Sequence, residues 1–158
     1  MVELQNMETL LKELAFFQEF DESTVALLAG CASNVVFEAG SYVARAHDEA
    51  NKFFFLRHGD VALELDVPTR DPLVVETLHP GDALGWSWIT APHRWSFDAR
   101  AVTLVRALAF DATCLRGKMD ANHEVGYQLM RRFIPVIAKR LEGARLQLAD
   151  LYAAEARS

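Results

Sequence analysis

The sequence predicts a mainly β fold held between flanking helices. Three observations lead there. Apolar residues near the start of the chain recur at helical spacing. From about residue 33 to residue 110, short β-rich pieces alternate with turn signals. The last third returns to an apolar repeat of three and four residues. A period that moves from 3.6 to 2 and back places helices at both ends of a β unit.

The N-terminal part, residues 1–32, reads as a helical pair. Leu10, Leu11, Leu14 and Phe17 fall on one helical face. Asp21-Glu22-Ser23-Thr24 then offers an N-cap to a second, short helix carrying Val25, Leu27 and Leu28.

Residues 33–110 read as a β roll or barrel. The strand candidates are 34–37, 42–44, 53–56, 61–65, 73–78, 97–101 and 104–110, separated by segments such as Glu38-Ala39-Gly40, His58-Gly59-Asp60 and Pro80-Gly81-Asp82. Short strands with glycine-bearing turns are the pattern of a sandwich or barrel, and closure removes exposed strand edges. In Val61-Ala62-Leu63-Glu64-Leu65 the valine and both leucines face one way and Glu64 the other, as expected of a half-buried strand.

Residues 111–156 read as helical. Asp111 caps a short helix through Cys114 and Leu115 that ends near Gly117, and Asp120 or Asn122 caps a long one. On the long helix Tyr127, Met130, Ile134, Ile137, Leu141, Ala144, Leu148 and Leu151 form an a/d seam. Leu129, Phe133 and Val136 form a second stripe. One stripe can cover the β unit while the other meets a symmetry mate; the alternative is a single wide core-facing surface. Pro135 lies inside this helix, where the missing N–H favours a kink between the two halves.

Composition narrows the function. A chain of 158 residues that is 51% apolar is one domain with a proper core. Its net charge of −6 argues against a nucleic-acid-binding surface. Arg131, Arg132, Lys139, Arg140 and Arg145 then read as a solvated basic side of the long helix. Cys31 and Cys114 match no metal spacing and read as buried reduced thiols, suited to a reducing compartment. The polar N-terminus carries no signal-peptide pattern, and no apolar run approaches the ~20 residues of a membrane span. A cytoplasmic protein with no membrane and no nucleic-acid partner is the expectation.

All three tryptophans, Trp86, Trp88 and Trp95, stand within residues 80–101, among Gly, Pro, Ser and charged residues. Large aromatic surfaces of this kind serve recognition sites as well as cores, and this segment is the candidate functional site.

The order of elements, with Phe37-Glu38-Ala39-Gly40-Ser41-Tyr42-Val43, Phe53-Phe54-Phe55-Leu56-Arg57-His58-Gly59-Asp60-Val61-Ala62-Leu63 and Pro80-Gly81-Asp82-Ala83-Leu84-Gly85, resembles the cyclic-nucleotide-binding domain of the catabolite-activator and Fnr superfamily. The resemblance covers nearly the whole chain. It implies a double-stranded β-helix or jelly-roll β roll, N-terminal helices and a long dimerising C-terminal helix. It further implies a cassette in which a Gly opens a turn toward a cyclic phosphate. A Glu takes the ribose hydroxyl, and an Arg followed by a small hydroxyl residue takes the charge. Gly85 and Ser96 match. Trp86 stands at the Glu position and Trp95 at the Arg position, while Arg94 is one residue out of frame, which on a strand means the opposite face. Where the family usually has a turn Gly, this chain has His47.

The resulting expectation is a stand-alone, non-enzymatic regulatory domain without cofactor, catalytic residue or metal. Its atypical pocket is formed by Gly85, Trp86, Ser87, Arg94, Trp95 and Ser96, with Arg100 a weaker candidate for an anion contact. Its partners are a small molecule, a cyclic nucleotide or another, and a second copy of the chain. The indoles either stack on a ligand or plug the pocket; Trp86 and Trp88 can equally be core residues. A ligand-free interaction module is the alternative. A third reading takes Arg57-His58-Gly59 as the signature of a histidine phosphatase. The other histidines, His47, His79, His93 and His123, show no metal-binding pair and read as solvated turn residues.

Overall fold

The computed structural model describes residues 2–157. Helix α1 spans Val2–Glu13 and α2 spans Glu22–Ala29, with a short 3-10 turn at Ala15–Phe17 between them. Eight strands follow: β1 Ala32–Phe37, β2 Tyr42–Ala44, β3 Lys52–His58, β4 Val61–Leu65, β5 Leu73–Leu78, β6 Ala83–Leu84, β7 Asp98–Ala101 and β8 Val105–Asp111. Helices α3, Ala112–Ala121, and α4, His123–Arg157, complete the chain. The strands form two antiparallel four-stranded sheets, ordered β1-β8-β3-β6 and β2-β7-β4-β5. This is the mainly β roll with flanking helices that the sequence predicts. Among the described residues no helix is long and apolar enough to cross a membrane.

The caps explain where the helices start. The Asp21 carboxylate accepts the Thr24 backbone N–H at 2.8 Å, which holds its carboxyl below the ordinary value. Asp111 accepts the Cys114 N–H at 2.9 Å and opens α3 in the same way. Helix α3 does not stop near Gly117 but runs on to Ala121, so Asp120 is an interior residue. Asn122 stands between the helices, its side chain accepting the Val125 N–H at 3.4 Å. Phe17 lies in the 3-10 turn rather than on α1, yet it is buried, as are Leu11 and Leu14.

Strand β3 shows why a continuous apolar run was needed. Phe53, Phe54, Phe55 and Leu56 are all buried, because both faces of the strand are covered. Phe53 and Phe55 meet the helical layer: Phe53 stacks on Trp88 at 4.4 Å, and Phe55 lies 4.7 Å from Phe16 and 6.3 Å from Phe133. The alternate residue, Phe54, meets Phe37 at 5.7 Å and Trp95 at 6.4 Å between the two sheets. The β3–β4 hairpin turns on Gly59, at φ +83°, where a Cβ would come within 2.1 Å of the Leu104 carbonyl oxygen.

Two expectations are corrected here. Cys31 and Cys114 are not reduced thiols. They form a disulfide with Cα atoms 5.8 Å apart, tying the start of the roll to α3. The argument from free thiols to a reducing compartment falls with them. Glu64 is not a solvated strand residue. It is 2% exposed, with Oε2 accepting from Arg100 at 2.9 Å and Oε1 unpartnered, whereas Leu65 is exposed. On the neighbouring strand Asp98 is also buried and accepts from Ala46 N at 2.8 Å and Arg45 Nε at 3.3 Å. Alternation assigns Glu64 correctly to the face opposite Leu63, but polar partners cover that face.

Candidate functional site

The segment after β6 is positioned by its backbone. Gly85 takes φ +99°, a conformation that favours glycine, and Ile89 N donates to Trp86 O at 3.0 Å to close a turn. Further on, Trp95 is pinned by two backbone bonds to the 47–48 turn: its N–H donates to Asp48 O at 2.9 Å, and its carbonyl accepts from His47 N at 2.8 Å. His47 itself has φ +75°, so it occupies the left-handed conformation where a glycine was expected.

This geometry separates the three tryptophans. Trp88 is 1% exposed and belongs to the aromatic core, stacked on Phe53, with its carbonyl accepting from Arg116 of α3 at 2.8 Å. Trp95 is buried inside the roll. Its ring lies against Gly85 so closely that a Cβ there would sit 2.7 Å from Trp95 Cη2. Trp86 is half-buried at the rim. Between them remains a small cleft of about 30 Å³ lined by Leu63, Leu84, Gly85, Trp86, Ser87, Trp95, Ser96, Phe97 and Arg140. That is room for no more than a few water molecules.

Five of the expected site residues, Gly85, Trp86, Ser87, Trp95 and Ser96, therefore line one concavity. Arg94 does not line it; its guanidinium is exposed and donates to the His47 carbonyl at 2.9 Å. Arg100 is engaged with Glu64. The cation that does reach the cleft is Arg140, read from sequence as part of a solvated basic face. Its side chain is only 10% exposed, it lies over the Trp86 ring at 5.2 Å, and Nη2 donates to the Ala83 carbonyl. Glu76 Oε1 is 3.7 Å from Nε. Burial pulls the guanidinium below its ordinary pKa, while Glu76 and Asp82 oppose that shift. The signal for Arg140 was present in the spacing. It continues the roll-facing stripe Leu129, Phe133, Val136 by one more step of four.

The remaining candidates lie elsewhere. Arg57 and His58 are exposed at the end of β3, Arg57 Nη1 lying 3.4 Å from Asn34 Oδ1. His79 Nδ1 pairs with Asp60 at 2.9 Å. Among the described residues no cluster of three or more His, Cys, Asp or Glu side chains could hold a metal ion.

Comparison with known proteins agrees with this architecture. The sequence pattern of the cyclic nucleotide-binding domain family matches residues 34–122, more than half of the chain. The chain belongs to that family. It is similar to a putative cyclic nucleotide-binding protein from Geobacter metallireducens GS-15, with 22% identity and a TM-score of 0.75 over 89% of this chain and 99% of the other. It is also similar to the sensor domain of the transcriptional regulator DNR from Pseudomonas aeruginosa, with 17% identity and a TM-score of 0.70 over 90% of this chain and 95% of that one. Cyclic nucleotide-gated ion channel 18 of Arabidopsis thaliana is 25% identical over 91% of this chain. The chain spans 20% of that channel's length.

Proposed function

We propose that this protein is a non-enzymatic regulatory domain whose pocket is closed at rest by its own side chains and whose output is the position of α4. The observation that carries the reading is the seat of Trp95 against Gly85, which leaves about 30 Å³ where a ligand would enter. No arginine of residues 85–97 reaches that space, so a cyclic phosphate would meet none of the charge that the resembled cassettes supply from this loop. Trp86, at the position of the ribose-binding Glu, contributes a ring face rather than an acceptor.

The second half of the reading is homodimerisation through the α4 seam. Tyr127, Ile134, Leu141, Leu148 and Leu151 are each more than half exposed. An exposed apolar row at heptad spacing is suited to a second copy of the same helix. A ligand that moves α4 must bind one arrangement of the helix better than the other.

The cleft volume also favours a second reading, in which the pocket stays closed and dimerisation with partner docking is the whole task. Calorimetry with cyclic AMP and cyclic GMP tests the closed-pocket reading. The expected dissociation constants are weaker than about 0.1 mM; low-micromolar binding of either nucleotide overturns it.

A further inference from the structure

Arg140 is unusual as a structural residue. A guanidinium carries five N–H donors and is expensive to bury unless they are used. Arg140 is nine-tenths buried, and its guanidinium is held by one described hydrogen bond, to the Ala83 carbonyl, by an ion pair with Glu76 at 3.7 Å and by the Trp86 ring, with Asp82 a further acidic neighbour; much of its donor capacity is unused. Its flank faces a cleft bearing the hydroxyls of Ser87 and Ser96. Two and three turns before it, Phe133 and Leu129 are packed in the core, so the guanidinium reaches the cleft from an anchored part of α4 and only the segment beyond it is left free to shift.

We propose that Arg140 is the anion receptor of this cassette, supplied by α4 in place of a loop arginine, for a small ligand carrying a phosphate or carboxylate group. The carbonyl of Ala83 and the carboxylate of Glu76 hold the guanidinium while the site is closed; the ligand's anionic group displaces them and is shared with Ser87 and Ser96. Entry requires the half-buried Trp86 to yield, because so narrow a cleft does not hold a phosphate with its sugar. Since the receptor stands on α4, binding and helix position are one event. The inference rests on the regulatory reading above and names the charge that such a pocket would recognise.

The test compares cyclic AMP with adenosine, which shares its base and sugar but lacks the phosphate, titrated by NMR to about 5 mM. Wild-type protein is expected to prefer cyclic AMP at least ~10-fold, the effect of one charge-assisted contact. Arg140→Gln is expected to abolish the preference, and Glu76→Gln, which frees the guanidinium, to strengthen it. Arg94→Gln is the competing arm. The proposal is overturned if wild type binds neither compound or shows no preference. It is equally overturned if the preference is lost in Arg94→Gln and kept in Arg140→Gln, or if Glu76→Gln weakens it. Should Arg140→Gln fail to fold, Glu76→Gln decides by the sign of its effect. Micromolar cyclic AMP binding that depends on Arg140 would refute the closed pocket and leave the receptor standing; no binding at all would do the reverse.

Discussion

The two halves of α4 share one helix and one chemistry but differ in what accounts for them. In residues 123–136 the apolar side chains Val125, Leu129 and Phe133 are buried, Phe133 lying 5.0 Å from Phe16 and 5.5 Å from both Phe53 and Trp88. From Leu141 to Arg157 every residue is exposed, including Leu146, Leu148, Leu151 and Tyr152. The helix runs unbroken from His123 to Arg157 with Pro135 inside it, so both halves are helical. The buried stripe of the first half is explained by the fold it covers, while Tyr127 and Ile134 on its other side stay exposed. The second half carries Leu141, Leu146, Leu148, Leu151 and Tyr152, all exposed, with no surface of its own chain to cover them. The roll-facing stripe continues past Val136 only in polar form, as Arg140 and as Gln147, whose Nε2 lies 3.5 Å from the Val75 carbonyl. What remains apolar faces away from the roll.

Substitutions in the two halves should therefore separate cleanly. The largest effect is expected from Phe133→Ala, which opens a cavity in the aromatic cluster and should lower unfolding free energy in urea by about 3–5 kcal/mol. A loss below about 1 kcal/mol would mean that the first half is not anchored as described. In the cleft that Arg140 of α4 borders, Gly85→Ala tests the Trp95 seat. The left-handed φ and the close ring together should cost about 1–3 kcal/mol, read in the same titration. In the second half, Leu141→Glu should change the folding free energy of the single chain by no more than about 0.5 kcal/mol, because the side chain touches no core; any larger loss should appear only at protein concentrations where wild type is dimeric.

How much of this was legible follows from which interactions are local. Asp21 and Asp111 cap the helices they precede, and Gly59 turns a hairpin; each acts within a few residues, and each is readable from the chain. The two-sided burial of β3 was visible as an unbroken run of Phe53, Phe54, Phe55 and Leu56. The disulfide was not, since its cysteines are 83 residues apart and spacing says nothing of distance at that separation. Glu64 was assigned to the correct face, but whether that face is covered depends on Arg100 of another strand. Trp88 and Trp95 look alike in sequence. Only the turn at Gly85 and the backbone bonds of Trp95 to the 47–48 turn send one to the helical layer and the other between the sheets. Arg140 was the instructive miss. In a basic run a cation reads as solvated, yet its place in the Leu129–Phe133–Val136 stripe pointed it at the roll.

The central claim is that the apolar row left bare on the second half of α4 is an interface between two copies of this chain. Light scattering of the purified protein, wild type beside a Leu141→Glu, Leu148→Glu double variant, tests it most directly. The account predicts twice the chain mass for wild type and the single-chain mass for the variant, with unchanged circular dichroism. A wild-type protein that runs as one chain, or a variant that keeps the doubled mass, would contradict it.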